Sequence, residues 1–132
     1  MDDYTGVKSL WLESNRIESI QNLSNQTLLR GLYLHNNQIK SIQNLDSLKL
    51  LDTINLSHNY IKKLENLSCC PLLTSLIITH NELENAAGLE HLIDCVNLSC
   101  VDLSFNNIND PEVIHVFKQM KNLVSAVNFL TF

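Results

Sequence analysis

The sequence predicts an α/β solenoid: a curved, right-handed superhelix with a parallel β-sheet on its concave face and short 3-10 or α-helical segments on its convex face. Three observations carry that prediction. The stretch LRGLYLHNNQIKSIQNLDSLKL places apolar residues at Leu29, Leu32, Leu34, Ile39, Ile42, Leu45 and Leu48, and the next 22 residues repeat them as Leu51, Ile54, Leu56, Ile61, Leu64, Leu67 and Cys70. A fixed period of this length marks stacked supersecondary units that bury one continuous core. Asn15, Asn37, Asn59 and Asn81 recur at the same 22-residue spacing. Ahead of each asparagine, two inward positions alternate with period 2, as in a short strand with one buried face.

Taken in order, the first repeat starts near Val7 and runs through Leu10, Leu12, Asn15, Ile17, Ile20 and Leu23 to Leu28. Met1 to Gly6 is short and acidic and does not resemble a capping helix. The second and third repeats start at Leu29 and Leu51; Ile39, Ile42, Leu45 and their counterparts bring the chain along the back in short helical or 3-10 turns. The fourth starts at Leu73 and continues through Leu76, Ile78, Asn81, Leu83, Ala86, Leu89, Leu92 and Cys95. Asn106 follows Asn81 by 25 residues, so three extra residues enter the back of this repeat around GLEHLIDCVNL. That length allows a helical turn or two, with Leu89, Leu92, Ile93 and Val96 inward.

The fifth repeat is Leu98, Val101, Leu103, Asn106 and Ile108. Asn109-Asp110-Pro111-Glu112 then forms a helix start, with Asp110 as N-cap, Pro111 at the first helical position and Glu112 in the first turn. Val113, Ile114, Phe117 and Met120 make one apolar face for a helix to about Met120. A degenerate sixth repeat begins at Leu123; Thr131 and Phe132 stand near where its asparagine belongs. The whole of residues 1–132 makes a single repeat domain. A column of Asn15, Asn37, Asn59, Asn81 and Asn106 has a structural role, because a buried amide bonds backbone groups that no regular strand ladder reaches.

The chain has 132 residues, 45% of them hydrophobic and 17% charged, with a formal net charge of −5. That balance argues against nucleic acid or an anionic membrane as the main partner. No apolar run approaches the roughly 18 residues that span a bilayer. The opening MDDYTGVKSL lacks a signal-peptide core, so the expected location is the cytoplasm. Cys70 and Cys95 occupy apolar slots of the repeat, which favours small buried thiols over disulfides. The Cys69-Cys70 and Cys95/Cys100 spacings do not match a zinc site. The N-x-S/T triplets at Asn22, Asn25, Asn55, Asn66 and Asn97 are chance matches to the way this repeat is spelled. With only Gly6, Gly31 and Gly88 there is no phosphate-cradling loop, and no nucleophile, base and acid come together. A non-enzyme without cofactor or metal is expected.

Binding is expected on the concave sheet. By strand alternation its middle column is Trp11, Tyr33, Asn55, Ile77 and Asp102, flanked by Glu13 and His35, with His58, His80 and Phe105 just before the column of asparagines. Aromatic side chains held outward on a rigid sheet are costly to leave in water and are enriched at interface hot spots. His58 and His80, one repeat apart with no third ligand in view, make a stacked surface pair in preference to a metal site. Lys40, Lys62 and Lys63 follow successive asparagines along one rim, as a solvated face.

The repeats resemble the short 22-residue class of leucine-rich repeats, with NxIxxIxNL after the strand at Asn15–Leu23, Asn37–Leu45 and Asn59–Leu67. That class includes a protein phosphatase regulatory subunit and several ciliary proteins. A longer match covers Tyr4 to Leu123: YTGVKSLWLESNRI, LDTINLSHNYIKKLENLS and VDLSFNNINDPEVI are similar to the repeat domain of the dynein axonemal assembly factor 1 family. The Tyr-Thr-Gly opening, Trp11 and Asp110-Pro111-Glu112 are not demanded by the generic repeat and carry the specificity of the resemblance. The resemblance implies a cytoplasmic, cilium- or flagellum-linked scaffold that helps assemble axonemal dynein arms through protein contacts. A phosphatase-regulatory role is the alternative. A third expectation is a structural, self-associating module, a homodimer through exposed strand edges at Ser9–Glu13 and VNFLTF.

Overall fold

The computed structural model describes residues 5–127. Six three-residue strands form one parallel sheet in sequential order: β1 (Ser9–Trp11), β2 (Gly31–Tyr33), β3 (Thr53–Asn55), β4 (Ser75–Ile77), β5 (Cys100–Asp102) and β6 (Ser125–Val127). In β1 to β5 the strand is followed by a few residues that lead to the asparagine corner, as Leu34, His35 and Asn36 lead from Tyr33 to Asn37. The register advances by one whole repeat per strand, pairing Leu10 with Leu32, Leu32 with Ile54, Ile54 with Leu76 and Leu76 with Val101. These inward residues stack with Leu34, Leu56, Ile78 and Leu103 into a core that runs the length of the solenoid. Full burial of each such side chain contributes roughly 1.5–3 kcal/mol. The sixth repeat supplies a true strand, β6 paired to β5. Thr131 and Phe132, near the expected sixth asparagine position, lie outside the described residues, as does Tyr4.

The asparagine column performs the predicted work in four repeats. Asn37 Oδ1 accepts the Asn15 and Ile17 N–H groups at 3.0 and 2.9 Å, and its Nδ2 donates to the carbonyls of Leu12 and Leu34. Asn59 accepts from Ile39, Asn81 from Ile61 and Asn106 from Leu83, at 2.9 to 3.1 Å, each also donating back to its own corner and the preceding one. Asn15 departs from expectation. It is exposed and donates only locally, to the Glu13 carbonyl at 2.9 Å. No earlier strand among the described residues lies against it, so its N–H donates to Asn37 Oδ1 while its side chain accepts no N–H of an earlier repeat.

A second asparagine column, unforeseen from the sequence, closes the back of the solenoid. Asn44 and Asn66 lie in the left-handed region, at φ 61° and 57°, and donate to the Ile20 and Ile42 carbonyls one repeat earlier, both at 2.7 Å. Asparagine tolerates this conformation better than other non-glycine residues. In the fourth repeat His91 takes over from the opposite sense, its Nε2 accepting the Leu67 and Ser68 N–H groups at 2.9 and 3.2 Å. That acceptance places the ring proton on Nδ1.

Among the described residues, regular helix on the convex side is confined to the fourth and fifth repeats. The first three repeats use single turns there, such as Leu48 N–H to Leu45 C=O. The three extra residues of the fourth repeat give two 3-10 helices, Ala86–Gly88 and Glu90–Asp94. Leu89 and Leu92 are buried as expected and Ile93 partly so, but Val96 is 65% exposed. The reason is that the 3-10 helix ends at Asp94 and the backbone leaves helical geometry at Cys95, which fills the buried slot and leaves Val96 in the turn that follows. Gly88 is needed where it stands: a Cβ there would meet the Lys62 carbonyl at 3.0 Å.

The C-terminal helix α1 is Val113–Lys118, shorter at both ends than the sequence pattern indicated. Its first bonds are of the i to i−3 kind, from Val113 to Asp110 and Ile114 to Pro111, so the chain enters through a 3-10 turn. Val113 and Val116 face the core with Met120, and Phe117 packs at the margin, whereas Ile114 is exposed. Asp110 still caps this turn, Oδ1 accepting the Glu112 N–H at 3.0 Å. Its Oδ2 reaches back a repeat to the Ala86 N–H at 2.9 Å. Those two bonds, to Ala86 first and Glu112 second, hold the Asp110 pKa below the ordinary aspartate value. Cys70 and Cys95 are free and buried in their apolar slots, and burial foremost pushes both thiols up to about 12.

Candidate protein-binding face

The register of β1 to β5 sets Trp11, Tyr33, Asn55, Ile77 and Asp102 in one row across the sheet, as the alternation predicts. The row is not chemically uniform. At its start the Trp11 and Tyr33 rings stack at a centroid distance of 3.7 Å and 8° between planes. Trp11 remains 58% exposed. The Tyr33 ring folds back along its own strand over Gly31, where a Cβ would meet the ring at 3.0 Å. A glycine in the strand thus marks a close approach that lets the tyrosine lie flat. Further along, Asn55 Oδ1 accepts the Ser57 N–H at 3.0 Å, and Asp102 Oδ1 accepts the Ser104 N–H at 3.0 Å and hydroxyl at 2.5 Å. These side chains pin the strand ends, so only part of their polar capacity faces outward.

A second stack runs beside the asparagine column. His58 lies over His80 at 4.0 Å and 13° between planes, and His80 over Phe105 at 4.3 Å and 16°. The backbone explains the alignment. Ser14, Asn36, His58, His80 and Phe105 all have φ between 53° and 59°, so one left-handed residue precedes every asparagine of the column. It turns the chain out of the strand and throws its side chain onto the rim of the sheet. Sequence gave the positions of these residues but no sign of the conformation. Partial burial, and then the neighbouring imidazoles of His80 and His35, hold the His58 pKa below the ordinary histidine value.

Phe105 is the unusual member. A bulky side chain in the left-handed region costs roughly 1–2 kcal/mol, yet Phe105 is 74% exposed and touches the fold mainly through His80. Replacing it with asparagine relieves the backbone and forfeits a ring contact worth about 0.5–1.5 kcal/mol. Phe105→Asn is therefore expected to leave chemical-denaturation stability unchanged or raised by up to about 1 kcal/mol. A loss well beyond that would give Phe105 a structural role.

Glu13 and His35 sit at equivalent positions of adjacent repeats, joined by the Ser14 N–H to His35 C=O bond at 3.2 Å. Glu13 Oε2 and His35 Nδ1 are both enclosed without a hydrogen-bond partner among the described residues. The lysine rim is partly neutralised: Lys62 pairs with Glu82 at 3.7 Å and Lys63 with Glu65 at 3.3 Å. Tyr60, 48% exposed, lines the groove between them and Lys40. Among the described residues no group of three or more His, Cys, Asp or Glu side chains is placed to hold a metal ion. No helix among them is long and apolar enough to cross a membrane.

The pattern that defines the family described as Leucine Rich repeats (2 copies) matches residues 5–47 and again residues 27–69. No curated protein sequence matches the chain. Among solved structures, an internalin C2 of Listeria monocytogenes is 27% identical, with a TM-score of 0.79 over 94% of this chain and 52% of its own. An internalin (inlF) of the same organism is 26% identical, with a TM-score of 0.80 over 97% of this chain and 36% of its own. A chain of the Drosophila melanogaster SNF/U2A' complex is 25% identical, with a TM-score of 0.82 over 89% of this chain and 71% of its own. The chain thus spans only about half, or less, of the length of the internalins it resembles. Domains of this fold generally act as scaffolds for protein interaction, and the fold is typically non-enzymatic. The repeat period, the stacked parallel strands, the enclosed asparagine column and these likenesses agree: the chain folds as a leucine-rich-repeat solenoid.

Proposed function

We propose that this chain is a non-catalytic scaffold in the cytoplasmic assembly of axonemal dynein arms, in cilium biogenesis, and that it captures a protein partner on the concave wall. The observation that carries the binding face is Phe105, a bulky residue held in a left-handed conformation, 74% exposed and continuing the imidazole stack. Strain of this kind concentrates where a surface is used, and exposed aromatic side chains on a rigid sheet are the natural anchors of an interface. The Trp11–Tyr33 pair supplies a second anchor on the same wall. The ciliary assignment rests on the resemblance carried by the Tyr4-Thr5-Gly6 opening, Trp11 and Asp110-Pro111-Glu112. The likeness to a chain that is part of the SNF/U2A' complex agrees with a scaffold that works in an assembly.

The test is a crosslinking pull-down from ciliated cells with the wild-type chain and Tyr33→Lys. Dynein chains or their chaperones are expected with the wild type and lost with the variant, whose thermal midpoint stays nearly the same because Tyr33 sits on the face of the sheet. Unchanged capture by Tyr33→Lys contradicts the concave site. Recovery of a phosphatase catalytic subunit in place of dynein components contradicts the ciliary assignment and favours a phosphatase-regulatory role.

A further inference from the structure

We infer that the segment captured on the concave wall is cationic and presents arginine side chains to it, an inference that rests on the wall being the binding face. The first ground is the distribution of charge. The chain holds nine lysines and arginines, yet none occupies the outward positions of β1 to β5, the two flanking positions after each strand included. The cations stand on the rims instead, at Lys8 and Arg30 before the strands and at Arg16 and Lys40 after them. The charges on the wall itself are two carboxylates, Glu13 in the first repeat and Asp102 in the fifth. A wall with this sign selects a positive partner and disfavours an acidic one.

The second ground is unmet hydrogen-bonding capacity. Glu13 Oε2 is enclosed and lacks a donor. Oε2 is closed to approach, so an incoming N–H group would meet the carboxylate at Oε1, which also takes no hydrogen bond among the described residues. Asp102 commits Oδ1 to Ser104, and Oδ2 takes no hydrogen bond among the described residues. The third ground is an exposed aromatic ring in the same repeat as each carboxylate: Trp11 beside Glu13 and Phe105 beside Asp102 end their stacks and are 58% and 74% exposed. A guanidinium ion suits both features, because it forms paired hydrogen bonds with a carboxylate and lies flat on an aromatic ring; an ammonium ion is a hydrated point charge that does neither as well.

Geometry sets the spacing of the partner. Glu13 and Asp102 are four strand steps apart, about 19 Å at the usual separation of neighbouring strands. That distance spans about thirteen residues of α-helix or about six of extended chain. A helical segment with an arginine near each end reaches both carboxylates and the ring beside each.

The experiment uses the full chain and three fluorescent helical peptides of about thirteen residues, alike except for arginine, lysine or glutamate at both ends. Binding is read by anisotropy at low and at physiological salt. The arginine peptide is expected to bind best, the lysine peptide several-fold more weakly, and the glutamate peptide not measurably. Glu13→Gln combined with Asp102→Asn is expected to weaken the arginine peptide by about tenfold or more; Asn keeps the acceptor for Ser104, and an unchanged thermal midpoint confirms an intact fold. Equal binding of the arginine peptide to this double variant overturns the inference, as does a glutamate peptide that binds as well. If that happens while Tyr33→Lys still abolishes capture from cells, the wall is the binding face and only the arginine chemistry is wrong. Tyr33→Glu adds a carboxylate that a cationic segment tolerates, so the face itself is judged on Tyr33→Lys: normal capture by that variant means that the binding face has failed.

Discussion

Leu56→Ala is expected to lower the unfolding free energy by roughly 2–5 kcal/mol. Leu56 is fully buried at the second inward position of the third repeat, after β3, with Leu34 before it and Ile78 after it in the same core row. Truncation removes contacts with the repeats on both sides, and the flanking strands are tied to one register by the sheet, so little collapse into the space is available. Leu72 is the control. It is also a leucine, but one step outside the inward frame and 45% exposed. Leu72→Ala is expected to cost less than about 1 kcal/mol. Urea denaturation of the two variants checks the pair, and similar losses in both would contradict the period on which the fold is built.

Asn59→Leu is expected to cost roughly 1–3 kcal/mol, and the hydrogen bonds identify where that loss comes from. The Asn59 amide donates to the carbonyls of Leu34, Leu56 and Ser57 at 3.0 to 3.2 Å. Each keeps another donor after the substitution: Asn37 for Leu34, Asn81 for Leu56 and the Asn36 N–H for Ser57. The group left without a partner is the buried Ile39 N–H, which Asn59 Oδ1 accepts at 2.9 Å. Asn15→Leu removes a residue of the same column, but an exposed one with a single local bond, and is expected to change stability by no more than about 0.5 kcal/mol. A large effect at both positions would mean that asparagine acts here through local turn preference and not through enclosure between repeats.

What could be read from the sequence was whatever repeats. Leu32, Ile54 and Leu76 fall in register because burial on one face demands an apolar residue at every turn. Asn37, Asn59 and Asn81 recur because each corner poses the same backbone problem. The row of Trp11, Tyr33, Asn55, Ile77 and Asp102 followed from strand alternation alone. Legibility fell where the repeat was broken or where local backbone geometry decided. Val96 was placed inward by counting an α-helical period past Asp94, where the 3-10 helix ends, and Ile114 was placed inward in a helix that starts through a 3-10 turn. Asn44 and Asn66 were visible at the repeat spacing, but their left-handed conformation and cross-repeat bonds were not. At the candidate site, the identity of His58, His80 and Phe105 was plain, whereas their stacking depends on a positive φ that phenylalanine gives no reason to expect.

The central claim is that asparagine side chains enclosed between successive turns close the solenoid and hold its concave wall rigid. Native-state amide exchange at Ile17, Ile39, Ile61 and Leu83 tests it most directly, because these N–H groups are accepted by the side chains of Asn37, Asn59, Asn81 and Asn106. Protection of the interior three comparable to that of the ladder-bonded Leu34 and Leu56 amides is predicted, with Ile39 alone released in Asn59→Leu. Exchange of all four at the rate of exposed loop amides, in a chain that is otherwise folded, would contradict it.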